Sequence, residues 1–129
     1  MNSRRDFIKK TTTALAFPLV NSNSEVFSIF KKLPSNRINV AVIGSGDRGQ
    51  GLMRLIKNIE GIELVAFCDI LPFRIEQASA IAPKAKKYNN HLKLLSHKNL
   101  DAVIISTPLN THYSIASDAV DASMNIYCE

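Results

Sequence analysis

Three glycines and one carboxylate carry the chemistry open to this chain. Gly44, Gly46 and Gly49 stand as G-x-G-x-x-G, with Ser45, Asp47 and Arg48 between them, inside RINVAVIGSGDRGQG. An apolar β-branched run precedes them and a helical pattern follows. In that setting each glycine has its own role. Gly44 permits a tight turn, Gly46 lets the backbone approach a pyrophosphate that a Cβ would block, and Gly49 lets the helix pack close to the strand. The free N–H groups at the helix start, aided by the helix dipole, favour an anion. Asp69 lies 20 residues beyond Gly49, at the end of the next apolar run. A carboxylate there accepts from ribose hydroxyls and repels a 2′-phosphate, so NAD is expected ahead of NADP. The plainer alternative is a glycine turn that only makes a tight corner, with Asp69 as a helix cap. No G-K-[ST] follows, which excludes a P-loop. A methyltransferase also places an acid after its second strand and remains a rival.

The other reactive side chains offer less. His91, His97 and His112 lack the spacing and company of a metal-ligand set, so no metal is expected. His91 and His97 read as surface residues. His112 either lines a cofactor or caps its helix. Lys84, Lys86 and Lys87 read as a solvated loop, and Tyr88 as a core or strand-edge residue. Spacing alone supports no Ser-His-Asp arrangement.

These residues are positioned by an alternation of strands and helices. INVAVIG is a continuous β-branched run of the kind that fills a fully buried parallel strand. Leu52, Leu55, Ile56 and Ile59 then fall on one face of a predicted helix over 47–59. IELVAFCD (Ile62–Asp69) reads as a second strand. Pro72 opens a second helix, with Ile75, Ala78 and Ala82 on one face, and Pro83 stops it. AKKYN is a short third strand, and 91–97 a short helix. LDAVIISTP (Leu100–Pro108) is a strongly buried fourth strand. Residues 110–123 are helical, with Ile115, Ala119 and Ala122 on one face and Asn110 or Thr111 as N-cap. NIYCE is a fifth strand. Five strands alternating with helices predict an α/β fold, a doubly wound parallel sheet of Rossmann type.

Charge is segregated along the chain. Residues 1–37 hold seven bases and two acids, which accounts for the whole formal net charge of +5, whereas residues 38–129 are balanced. A nucleic-acid surface needs its Lys and Arg on the folded face, so no nucleic-acid partner is expected. The opening NSRRDFIKK followed by TTTALAFPLV is a basic region before a short apolar one, too short to span a bilayer. Its S-R-R-x-F-I-K form resembles a twin-arginine signal. Residues 1–36 are therefore expected to be signal and linker, with export to the periplasm or beyond and no other membrane role. Residues 37–129 form the folded domain.

Taken together, VAVIGSGDRGQG (Val40–Gly51), VAFCDILPFR (Val65–Arg74), LDAVIISTPLNTHYSIA (Leu100–Ala116) and NIYCE (Asn125–Glu129) resemble the Gfo/Idh/MocA oxidoreductases. The T-P-x-x-x-H step after the fourth strand is far less generic than the glycines. The resemblance implies that Gly44, Ser45, Gly46, Asp47, Arg48 and Gly49 form the phosphate turn. Asp69 would hold the adenosine ribose, with Arg74 near the adenine. Thr107, Pro108 and Asn110 would line the nicotinamide side, with His112 behind them. Glu129 would correspond to the glutamate of the family's E-K-P motif. The usual Ala-Gly before the fifth strand is Ala122-Ser123 here, so modest strain is expected at that helix end.

The family's next lysine transfers the substrate proton, and a second domain supplies the substrate pocket. Neither falls within these residues, so the chain is expected to hold the cofactor half alone, its sheet incomplete at the C-terminal end. No catalytic residue is assigned and no turnover by this half is expected. The whole enzyme would act on a sugar or polyol by hydride transfer, or as an NAD-dependent glycosidase. The chain could also be a non-catalytic nucleotide-binding fragment. Any homo-oligomer would form through the second domain. In a 3-2-1-4-5 sheet, Cys68 and Cys128 lie three strand spacings apart, roughly 14 Å. A disulfide needs Cα atoms within about 7 Å, so two free, mostly buried thiols are expected.

Overall fold

The computed structural model describes residues 37–129. Residues 1–36, expected to be a twin-arginine signal and linker, lie outside the described residues. From Arg37 onward the chain builds β1 (Ile38–Ile43), α1 (Asp47–Ile56), β2 (Ile62–Cys68), α2 (Pro72–Ile81) and β3 (Lys86–Tyr88), then α3 (His91–Leu95), β4 (Ala102–Ile105), α4 (His112–Asp121) and β5 (Asn125–Cys128). A 3-10 turn over Leu109–Thr111 leads into α4. All strand pairs are parallel, in the order β3-β2-β1-β4-β5. This is the expected doubly wound α/β sheet.

Each face of the sheet carries its own core. Val40, Val42 and Phe67 point to the side covered by α1 and α2, where they meet Met53, Ile56, Ala78 and Ala82. Ala41, Ile43, Cys68, Val103 and Ile105 point to the other side, packed by Leu94 and Leu95 of α3 and by Ile115 and Ala119 of α4. Burial on both sides explains why β1 and β4 read as unbroken apolar runs.

Three expectations are corrected. The buried face of α1 is Gly49, Gln50, Met53 and Ile56, so of the expected stripe of Leu52, Leu55, Ile56 and Ile59 only Ile56 is buried, and Leu55 is 60% exposed. Gly49 fixes that face. A Cβ there would sit 1.9 Å from the Gly44 carbonyl oxygen, so the helix touches the sheet where it has no side chain. The helix also ends at Ile56 rather than 59. Among the cysteines, Cys68 is buried and Cys128 exposed. Both are free, and Cys128 is open because β5 has a strand neighbour on one side only among the described residues. The N-cap of α4 is Thr111, one of the two residues expected there, although its side chain does not cap the helix. Its hydroxyl is instead 2.7 Å from the Pro108 carbonyl, to which it donates.

The helix end before β5 adopts the strained conformation expected of it. Ser123 has φ +58°. Its N–H donates to the Val120 carbonyl at 2.8 Å and that of Met124 to the Ala119 carbonyl at 2.9 Å, the Schellman pattern that normally ends in glycine.

Candidate functional site

The sequence puts Gly44 where the sheet's winding reverses, because β1 pairs β2 on one edge and β4 on the other. Open α/β sheets hold ligands at that point, beyond the carboxyl ends of the strands. A cleft of about 500 Å³ opens there, within the range of small-molecule sites. Its walls come from the glycine turn (Gly44, Gly46), the end of β2 and start of α2 (Asp69, Leu71, Arg74), and the segment after β4 (Ser106, Thr107, Pro108, Asn110).

The glycines divide the work by geometry. Gly44 has φ +92°, and a Cβ would lie 2.4 Å from the Ser106 carbonyl oxygen, against the backbone after β4. Gly49 seats α1 on the turn. Gly46 meets nothing within 4 Å of a built Cβ, so the space above it is open toward the cleft. It is also the N-cap of α1, where the first amides have no intrahelical acceptor. An open cradle above a helix start suits the diphosphate of a dinucleotide.

Asp69 braces this turn. Its Oδ2 accepts from the Ser45 N–H at 2.8 Å and from the Ser45 hydroxyl at 3.3 Å, and its Oδ1 accepts from the Leu71 N–H at 2.9 Å. Asp69 thus braces the glycine turn and lines the cleft, while α2, with Leu71 as its N-cap, has no side-chain cap. A carboxylate has roughly four lone-pair sites, so about one remains for a ribose hydroxyl. The buried Gln50 adds a second brace that the sequence did not advertise. It donates to the Ser45 carbonyl at 3.0 Å and to Gln77 of α2 at 3.1 Å.

Charged residues at the rim are paired. Arg74 meets Asp47 at 2.5 Å, joining α2 to the glycine turn. Arg48 pairs with Glu129, whose N–H donates to the Ile105 carbonyl at 3.1 Å. Behind the wall, His112 Nε2 donates to the Thr107 carbonyl at 2.7 Å and pins the segment after β4. Thr107, Pro108, Asn110, Asp69 and Arg74 thus meet at the cleft with Gly44 and Gly46, whereas Ser45, Gly49 and His112 support it from beneath. Asp47, Arg48 and Glu129 stand outside its walls.

Of the cleft-lining residues outside the expected set, two carry titratable side chains. Cys68 lines it from the end of β2, and burial, with the Asp69 carboxylate adding to it, pushes its thiol up to about 12. His91 also lines it, and its Nε2 is 2.8 Å from Asp118 Oδ2. His97, read as a surface residue, is half-buried, with Nδ1 2.8 Å from the Tyr88 hydroxyl. Burial and the nearby Lys86 charge hold its pKa below the usual histidine value. Among the described residues no group of His, Cys, Asp and Glu assembles a metal site, and no helix is long and apolar enough to cross a membrane.

A 3-2-1-4-5 parallel sheet with a glycine turn on β1 and a carboxylate ending β2 defines a Rossmann-type nucleotide-binding domain. Residues 38–129 match the family model described as "Oxidoreductase family, NAD-binding Rossmann fold". The chain belongs to this Gfo/Idh/MocA family. It is 33% identical to an inositol 2-dehydrogenase of Salmonella typhimurium over 98 residues, covering 75% of this chain and 28% of that one. It is likewise 33% identical over 104 residues to a glycosyl hydrolase family 109 protein of Stenotrophomonas maltophilia, covering 72% of this chain and 23% of the relative. The myo-inositol dehydrogenase of Lactobacillus casei, solved with NAD(H) and myo-inositol, aligns with TM-score 0.67 at 30% identity, over 71% of this chain and 28% of that one. The chain therefore spans roughly a quarter of the length of the relatives it matches.

Proposed function

We propose that this chain is the cofactor-binding part of an exported NAD-dependent oxidoreductase. In this reading Gly44–Gly49 hold the diphosphate, Asp69 the adenosine ribose, and Arg74 lies beside the adenine. Thr107, Pro108 and Asn110 face the nicotinamide, with His112 behind them and Glu129 near its ribose. The observation that carries it is the open space above Gly46 at the start of α1, flanked by Asp69 at the end of β2. NAD is preferred to NADP because a 2′-phosphate would meet the Asp69 carboxylate. When bound, the nicotinamide ring accepts or returns a hydride. The residues of this chain bind and orient it, and the proton-transfer lysine and substrate pocket would come from residues beyond these.

The substrate class is a sugar or polyol, by the likeness to inositol dehydrogenases. The RRDFIK leader supports export by the twin-arginine route. A second reading, cleavage of a glycosidic bond with NAD retained, is favoured by the family 109 relatives. Calorimetric titration of the chain with NAD+ and NADP+ tests the cofactor assignment, with saturable and tighter NAD+ binding expected. A folded chain that binds neither overturns it. Product analysis of the complete enzyme separates the two activities. Net NADH indicates a dehydrogenase, and sugar release without NADH a glycosidase.

A further inference from the structure

Across the sheet, the order of strand ends gives the cleft a direction. The glycine turn follows β1 and Asp69 ends β2, while His91 follows β3, one strand further out. The segment after β4 lies on the opposite side. A dinucleotide with its diphosphate on the glycine turn and a ribose at Asp69 therefore extends its purine toward His91, which lines the cleft.

His91 does not present an arbitrary ring edge. Its Nε2 lies 2.8 Å from the Asp118 carboxylate on α4, a tie between segments 27 residues apart. A carboxylate only accepts, so Nε2 carries the proton. In the neutral imidazole Nδ1 is then an acceptor, and it makes no hydrogen bond among the described residues. Arg74, the cation lining the same end of the cleft, is occupied by Asp47.

We propose that His91 is a base-reading residue, its Nδ1 accepting a hydrogen bond from the exocyclic amino group of adenine. The inference rests on the nucleotide reading above and adds a selectivity that the reading lacks. Adenine presents a donor at its six-position, whereas hypoxanthine presents a carbonyl acceptor, as guanine does. Two acceptors face each other in the second case. Asp118 acts as a positioning residue, because without it the proton is free to move to Nδ1.

The test compares NAD+ with nicotinamide hypoxanthine dinucleotide by calorimetry on the 129-residue chain. The parent is expected to prefer NAD+ by about fivefold, the worth of one hydrogen bond. His91→Phe is expected to bring the ratio near one while leaving affinity for nicotinamide mononucleotide unchanged. Asp118→Ala, which keeps the imidazole, is expected to give an intermediate ratio. Circular dichroism verifies that each variant is folded. NAD+ binding with the same ratio in parent, His91→Phe and Asp118→Ala overturns the role of His91 and leaves the nucleotide site standing. No binding of NAD+ by the folded parent overturns both.

Discussion

Alanine substitutions at the three glycines of the turn should separate folding from binding. Gly44→Ala places a Cβ 2.4 Å from the Ser106 carbonyl oxygen and 2.7 Å from its carbon, at φ +92°. Both neighbours are backbone, so relief requires β1 and β4 to part. The left-handed conformation costs about 1–2 kcal/mol and overpacking typically adds about 1–3. A loss of about 2–5 kcal/mol is a large share of a small domain's stability. At roughly 4–8 °C per kcal/mol, the unfolding midpoint should fall by about 10 °C or more. Gly49→Ala should also destabilise, since its Cβ would lie 1.9 Å from the Gly44 carbonyl oxygen and α1 must move outward. Gly46→Ala is the contrast. It has φ −67° and nothing within 4 Å. The gain of about 0.4–1 kcal/mol from a stiffer unfolded chain offsets the poorer N-cap. Its midpoint should stay within a few degrees of the parent, by the same conversion, yet NAD+ affinity should fall at least about tenfold, or about 1.4 kcal/mol. Thermal unfolding followed by circular dichroism, paired with calorimetric titration, reads both quantities. A stable Gly46→Ala chain that binds NAD+ like the parent would refute the phosphate turn. A Gly44→Ala chain as stable as the parent would refute the steric argument.

Ser123→Gly should stabilise the fold. Relief of about 1–2 kcal/mol of left-handed strain at φ +58° exceeds the added freedom of the unfolded chain, and a midpoint rise of roughly 2–6 °C is expected. An unchanged or lower midpoint would count against strain at that turn. The two thiols should differ sharply toward a maleimide or aromatic disulfide at pH 8. Cys128, being exposed, reacts at once. Cys68, buried and raised to about 12, reacts only on unfolding. Cys128→Ser should abolish the fast phase, and a fast phase that persists in that variant contradicts the burial of Cys68.

The sheet was legible because both of its faces are buried, so β1 and β4 are written as unbroken apolar runs. The turn was legible because its glycines answer backbone constraints that no other residue meets as well. The face of α1 was misread for the same reason. Its closest contact with the sheet is made by Gly49, which hydrophobic periodicity counts as nothing, and Leu55 and Ile59 then draw the stripe to the wrong side. His91 was invisible as a site residue because a lone histidine carries no signal. Its meaning comes from Asp118, which only folding brings within reach. Gln50 is similar, a polar residue in a helix whose partners on the turn and α2 exist only in three dimensions. Cys128 was misjudged because the end position of β5, already expected from the 3-2-1-4-5 order, was not carried through to the exposure of its side chains.

The parallel sheet also dictates the order in which this domain comes into being. Among the described residues no two strands are joined by a hairpin, so each pairing waits for an intervening helix, and such non-local topologies fold slowly. The core under α1 and α2 draws its buried residues from positions 40–82. The opposite core needs Val103, Ile105, Ile115 and Ala119 as well. The Asn39 N–H is capped by Asp101, 62 residues downstream, at 2.7 Å. As the chain leaves the ribosome, one side of the sheet has all its buried residues long before the other. The cleft, which needs Ser106 against Gly44, cannot form until β4 has joined β1. Ligand binding would therefore report the joining of the two sides of the sheet, not the first half alone.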